Sequence, residues 1–336
     1  MKDIIKWQRF WCKSKNDIQL DMNGFLSDPT IKKFNAENNV FDFETISSIP
    51  CLVLLGEAGS GKSTTIESEY KKQLINNVDD IILYKNLNEY GDENRFINEV
   101  FGSNEINEWL LSDKHIIIFL DSYDECLLEI KKLPLIIKKQ LERFRKISSR
   151  LQLRVICRSG NWNNSLHEYL TDFFGKDNIA LYEIAPLQLI DIELVAKQND
   201  LNETSFIKEI IRKQVQPFAM NPLTLFFLIS EYKSNQQIYP TLERIYHEGC
   251  KLLCKEQNVA RLNISANYNL ATERKIAIGS RIAALMVFCN KSIIDISSTS
   301  RKDSRALILS DILEGDELTD DYSFSCLLYT SPSPRD

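Results

Sequence analysis

Apolar residues gather into five short runs in the first half of the chain, and then the rhythm changes. The runs are "CLVLL" (51–55), "IILYKNL" (81–87), "HIIIFL" (115–120), "LQLRVIC" (151–157) and "NIALYEI" (178–184). Each is nearly continuous and rich in branched residues, the pattern of strands covered on both faces. The stretches between them carry the helical period. Ile66, Tyr70 and Leu74 recur every fourth residue after the first run. Leu133, Ile137, Leu141, Phe144 and Ile147 line one face between the third and fourth. Strand and helix alternating in this way predict an α/β fold, a parallel five-stranded sheet flanked by helices.

From Pro186 the pattern becomes helical throughout. "LIDIELVAKQ", "TSFIKEIIRKQV", "NPLTLFFLISEY", "TLERIYHEGCKLLCKEQ" and "ATERKIAIGSRIAALMVFCN" read as successive helices, with Ile278, Ile282 and Leu285 on one stripe. Residues 1–45 are mixed and polar. A short alternating segment there, with turn signals at Asn23-Gly24 and Asp28-Pro29, predicts a small lead-in that packs on the α/β region after it. The expected organisation is a lead-in (1–45), an α/β domain (46–185), an all-helical domain (186–325) and a distinct tail (326–336).

Composition narrows the function classes. The chain has 336 residues, enough for about two domains. Lys and Arg total 41 against 47 Asp and Glu, a net charge of −6, so no basic field indicates nucleic acid. Apolar runs such as "LTLFFLI" (223–229) fall far short of the ~20 residues a membrane helix needs. "MKDIIKWQRFWCKSKND" lacks the apolar centre of a signal peptide, which predicts a cytoplasmic protein without a membrane partner. The eight cysteines form no paired framework and are expected to be thiols. His247, Cys250 and Cys254 share a helical spacing but have no fourth ligand, so they read as a packed helix face rather than a metal site.

"GEAGSGKST" (56–64) fits G-x-x-x-x-G-K-[ST] between a strand and a helix. The motif takes in Gly56, Glu57, Ala58, Gly59, Ser60, Gly61, Lys62, Ser63 and Thr64. Its glycines let the backbone wrap an anion, and the N–H groups from about Gly59 to Ser63 are expected to form a nest at the helix start. Lys62 would reach the β- and γ-phosphates, and the Ser63 hydroxyl would ligate Mg²⁺. The implied ligands are ATP or ADP with Mg²⁺.

"IIIFLDSYDE" (116–125) supplies the acids such a site needs. Asp121 ends the third strand at the edge where ligands bind open α/β sheets, and is expected to hold Mg²⁺ through water, opposite Ser63. Ser122 follows it and cannot activate water. Asp124 and Glu125 come a step later. Either they position or activate a water at the γ-phosphate, or they open the next helix, where acids suit the dipole. The basic stretch 130–150 reads as the solvated side of an amphipathic helix. His115 and His167 have no visible partners and are assigned no chemistry.

These residues resemble the NACHT-type NTPases of the STAND class. There, a P-loop is followed by an apolar strand, Asp, a small residue, an apolar residue and two acids, the order of "FLDSYDE". The class ends its fourth strand in a Thr-Ser-Arg-like sensor. Here "VICRSG" puts Arg158 at the Arg position, with Cys157 in place of the small hydroxyl residue. "NPLTL", with Pro222, resembles the element that places a proline near the adenine. "RFWC…GFLSDP" and "RKIAIGSRIAALMVF" are similar to segments of large bacterial NACHT proteins, many of them suspected antiphage sensors. The resemblance spans roughly residues 46–300. It implies a switch in which ADP holds a closed form, a trigger opens it, ATP replaces ADP and subunits self-associate. It also makes Arg158 a reader of the γ-phosphate, since a guanidinium forks onto phosphate oxygens, the alternative being a strand-end salt bridge.

Two other classes share the cradle. A P-loop kinase of a small molecule would need an Arg-rich lid after the sheet, and no such cluster is present in the sequence. A nucleotide-binding scaffold would bind without turnover. The tail "CLLYTSPSPRD" (326–336) resembles the in-frame translation of a transposon-type sequencing-library adapter, so the native chain is expected to continue past about residue 325.

Overall fold

In the computed structural model, two strands precede the five apolar runs: β1 (Phe10–Lys13) and β2 (Val40–Asp42). The runs themselves become β3 (Cys51–Leu55), β4 (Ile81–Asn86), β5 (Ile116–Asp121), β6 (Leu151–Cys157) and β7 (Ile179–Ile184). The structure describes residues 8–14, 18–29, 39–77, 79–238, 241–254, 272–290, 293–295 and 306–308. The adapter-like tail, 326–336, lies outside them. The described residues divide into two compact units between Ile229 and Ser230.

One seven-stranded sheet runs in the order β2-β1-β7-β3-β6-β5-β4. The five expected strands are all parallel to one another. The lead-in goes further than the sequence indicated, because β1 adds antiparallel to β7 and β2 adds antiparallel to β1. The near-continuous apolar runs are explained by cover on both faces. Along β3, Cys51, Val53 and Leu55 join one core while Leu52 and Leu54 join another. Along β5, Ile116, Ile118 and Leu120 divide from Ile117 and Phe119 in the same way. This is the strand period of two, with a helical layer waiting on each side.

The helix Leu133–Glu142 buries Leu133, Ile137 and Leu141 against the first core, and Phe144 follows them in. On the other face, the helix Lys62–Asn76 buries Ile66 and half-buries Tyr70, but Leu74 is 47% exposed. The sequence pattern placed Leu74 with them. Residues four apart advance about 400° on a helix, so each step drifts ~40° and the second carries Leu74 off the face.

After β7 come the helices Leu189–Gln198, Glu203–Lys213, Gln216–Ala219, Pro222–Asn235, Leu242–Cys254 and Thr272–Phe288. The expected all-helical region also holds two short strands, β8 (Ile293–Asp295) and β9 (Ala306–Ile308), paired in parallel. Each is a brief branched run too short to show a period.

β6 carries an arginine that its apolar surroundings hide. Arg154 is fully buried. Its Nη1 donates to the carbonyls of Ile49 (2.8 Å) and Pro50 (3.1 Å), and its Nη2 to Ser47 O and Gln152 Oε1. Burial pulls its pKa down to about 10, so it remains a cation at neutral pH. It therefore ties the segment leading into β3 to β6, at the edge of the sheet away from the phosphate loop. Arg154→Met should take this donor from the half-buried Ser47 and Ile49 carbonyls, while Pro50 O keeps the Leu153 N–H (2.8 Å), and cost about 1–3 kcal/mol of stability in a urea titration. A loss below ~1 kcal/mol would show that water or a shifted backbone satisfies them.

Candidate functional site

The sheet order decides which strand ends meet. β6 lies between β3 and β5 and pairs with both. Its tip therefore falls between the loop that leaves β3 and the acid that ends β5. The carboxyl edge of the sheet gathers the glycine loop, Asp121 and Arg158 on three adjacent strands.

The loop is a P-loop built on two left-handed glycines. Gly59 has φ 73° and Gly61 has φ 83°. A Cβ on Gly59 would lie 2.8 Å from two atoms of Leu223, so a side chain is excluded by the backbone and by its neighbour alike. Gly61 caps the helix Lys62–Asn76. The first N–H groups of that helix have no acceptor within it, as at any helix start. Lys62 Nζ donates to the carbonyls of Gly56 and Glu57 (2.8 Å to the latter). Ser63 is half-buried in the first turn, and Glu57, Ala58 and Thr64 are exposed. The Ser60 hydroxyl is buried with no hydrogen-bond partner. Pro222 sits over Gly61, its Cγ 3.6 Å from where a Cβ would be.

Asp121 is 2% exposed. Its Oδ1 accepts from the Ser122 N–H (2.7 Å) and its Oδ2 from the Tyr84 hydroxyl (3.0 Å) on β4. Both donors are neutral. Among the described residues, no lysine or arginine pairs with this carboxylate. A buried carboxyl met by neutral donors suits a hydrated divalent cation, and Ser63 is the hydroxyl expected opposite it. Ser122 is left-handed (φ 63°) and buried, so the chain turns sharply there before the helix Tyr123–Glu129 starts.

That turn sends both later acids to Arg158. Asp124 Oδ1 accepts the Arg158 backbone N–H (3.2 Å). Asp124 Oδ2 lies 3.1 Å from Arg158 Nε, a close ion pair without the alignment of a hydrogen bond. Glu125 Oε1 accepts from Arg158 Nη2 at 3.1 Å. The guanidinium is thus held by two carboxylates at the tip of β6. Cys157, next to it, has its thiol pushed up to about 12, first by burial and then by Asp124, while Lys62 acts in the opposite sense. The thiol is protonated at neutral pH and is no nucleophile. His167 packs edge-on to Trp162 with its Nδ1 buried and unpartnered, and touches none of these groups.

Sequence reasoning missed two contributors. Tyr84 sits inside an apolar run, and nothing marks its hydroxyl as a partner of Asp121 until β4 and β5 pair in register, with Asn86 opposite Asp121. Arg9 comes from the lead-in, and its place at the loop depends on an antiparallel pairing that no local pattern predicts.

No protein-family model matches the chain, and no curated protein is similar to it in sequence. Among solved structures it is similar to Cdc6p from Pyrobaculum aerophilum, with 14% identity over 83% of this chain and 74% of that one (TM-score 0.37). It is similar also to domain III of the replication initiation protein DnaA from Thermotoga maritima, with 14% identity over 59% and 82% (TM-score 0.34). A third is a Walker-type ATPase of Pyrococcus abyssi, with 13% identity over 85% of each chain (TM-score 0.35).

Proposed function

We propose that the chain is a Mg²⁺-dependent, ATP-binding and ATP-hydrolysing switch of the NACHT type within the STAND class. The observation that carries this reading is the meeting of three elements at one sheet edge: the P-loop after β3, Asp121 on β5, and Arg158 just past β6 between them, paired with two acids of the helix after β5. The N–H groups from Gly59 to Ser63 and the Lys62 ammonium bind the phosphates. Ser63 and Asp121 would hold Mg²⁺, which when bound neutralises charge on the β- and γ-oxygens. Glu125 and Asp124 orient a water and take up its proton.

Arg158 links sensing to chemistry on this reading. Its guanidinium already neutralises both acids, so a γ-phosphate at the cradle competes for the same donors. A phosphate oxygen that draws the fork away also releases the carboxylates for the water. ATP and ADP then favour different arrangements, and a ligand shifts a switch only by such a difference in affinity. In keeping with the class, opening and self-association would follow ATP binding, with the α/β domain at 46–185 and the helical domain from 186 as the moving parts. A cytoplasmic setting suits the reading, and among the described residues no helix is long and apolar enough to cross a membrane.

One observation favours a second reading, a scaffold that binds without turnover: both candidate acids are occupied by Arg158. Single-turnover assays with Mg²⁺ and labelled ATP, with and without alcohol and nucleoside acceptors, separate the possibilities. Release of inorganic phosphate is the expected result. Label transferred to an acceptor would mean a kinase, and tight binding with neither would mean the scaffold.

A further inference from the structure

We propose that Arg9 is a positioning residue for the phosphate loop, and that the N-terminal strand is thereby part of the nucleotide site. The inference rests on the nucleotide-binding reading of the P-loop. β1 runs antiparallel to β7, so its first residue lies at the edge of the sheet where the parallel strands end. The Ala185 N–H donates to Phe10 O (2.8 Å) and fixes that register. Arg9 precedes Phe10 and points along the edge. Its Nη2 donates to Ala185 O (2.7 Å), just past β7, and its Nη1 donates to Ser60 O (2.9 Å) in the P-loop.

The second bond matters because of where Ser60 sits. It lies between the two left-handed glycines, and its carbonyl shares a peptide plane with the Gly61 N–H. In a trans peptide the C=O and N–H point in opposite directions. Holding Ser60 O on the outside of the loop therefore holds the Gly61 N–H toward the inside, where an anion is cradled. A flexible Ser-Gly peptide can rotate, and the guanidinium removes that freedom with a fork that also grips β7. A Cβ on Gly61 would lie 3.1 Å from Arg9 Nη1, so the positive charge stands directly behind the cradle.

Its surroundings keep Arg9 rigid and charged. It is 8% exposed, and burial brings its pKa down to about 10, leaving it protonated at neutral pH. Asp191, also buried, provides the opposing charge. That carboxylate caps the helix Leu189–Gln198 by accepting the Gln188 N–H at 2.9 Å. Burial raises the pKa of Asp191, and the Gln188 N–H and then the nearby guanidinium act against that rise.

The alternative is that Arg9 merely staples β1 to β7. A comparison of three variants in the full chain decides between them, by titration with a fluorescent ATP analogue and Mg²⁺ alongside thermal melting. Arg9→Met should weaken binding by roughly 10- to 100-fold, the scale at which a small misplacement of binding groups is felt. Arg9→Lys should fall between, since one ammonium cannot fork onto two carbonyls. Trp11→Phe disturbs a fully buried residue of the same strand whose indole Nε1 bonds to neither carbonyl, and should melt earlier yet bind as the parent does. Parental affinity in Arg9→Met overturns the proposal. So does an equal loss in Trp11→Phe, which would make the effect one of strand docking. If Arg9→Met does not fold, the comparison of Arg9→Lys with Trp11→Phe is read the same way. A parent protein that fails to bind the analogue at all would instead sink the nucleotide reading itself, and this inference with it.

Discussion

Glu125→Gln is expected to bind Mg²⁺-ATP nearly as the parent does and to release phosphate roughly 10²–10⁴-fold more slowly, the range for losing a positioned acid or base. The two acids are not equivalent. The Asp124 side chain is 4% exposed and accepts the Arg158 N–H as well as facing its Nε, so it is locked to the tip of β6. The Glu125 side chain is 24% exposed and meets Arg158 through Nη2 alone. Glu125 is the acid that a shift of Arg158 would release toward a water, while Asp124 holds the arginine at the strand tip. Asp124→Asn should therefore lose turnover too, but with a lower melting temperature, because it alters a buried ion pair.

The coupling can be measured. Arg158→Ala should slow phosphate release and narrow the difference in affinity between ATP and ADP. In a double-mutant cycle, Glu125→Gln and Arg158→Ala should be non-additive, since the two side chains touch. Single-turnover phosphate release with protein in excess over ATP gives the rates even where turnover is slow. Parental rates in both acid variants would falsify the assignment and leave Asp124 and Glu125 as helix-opening residues.

The five parallel strands and the glycine turn between β3 and its helix were legible because each rests on local pattern. An apolar run of five residues, then a glycine-rich turn, then a helix period specifies its own shape whatever the rest of the chain does. Asp121 was legible for the same reason, as the first polar residue after such a run. What sequence could not show is what depends on partners far along the chain. Tyr84 reads as one more strand residue until β5 pairs beside it. Arg9 reads as a surface charge in a polar segment until β1 docks on β7, about 170 residues later in the chain. Arg154 is a charge inside an apolar run, and it is fully buried because three carbonyls of the segment before β3 receive it. Leu74 failed in the opposite direction, since a spacing of four imitates a helix face for one step and then leaves it.

Lys62→Ala and Asp121→Asn should both weaken nucleotide binding, for reasons that magnesium separates. Lys62 is the P-loop cation, and its Nζ now donates to carbonyls of the same loop, Gly56 and Glu57. Those are neutral acceptors, and a phosphate oxygen offers the ammonium a charged one. Removing it forfeits a charge-assisted contact of about 1.5–3 kcal/mol, which is roughly 10- to 100-fold in affinity. That loss should appear with Mg²⁺ present or chelated, because on the proposed reading the ammonium would meet the phosphates directly. Asp121 acts otherwise. Among the described residues its buried carboxylate receives the Ser122 N–H and the Tyr84 hydroxyl, both neutral donors that can aim it without adding an opposing charge. An asparagine keeps the shape and loses the charge that attracts a hydrated cation. Affinity measured with EDTA should then match the parent, while the gain on adding Mg²⁺ should largely vanish. Tyr84→Phe should shift the Mg²⁺ dependence in the same direction by less, since it frees the carboxylate to rotate and leaves its charge in place. An Asp121→Asn protein that gains as much from Mg²⁺ as the parent would place the cation elsewhere and remove Asp121 from the site.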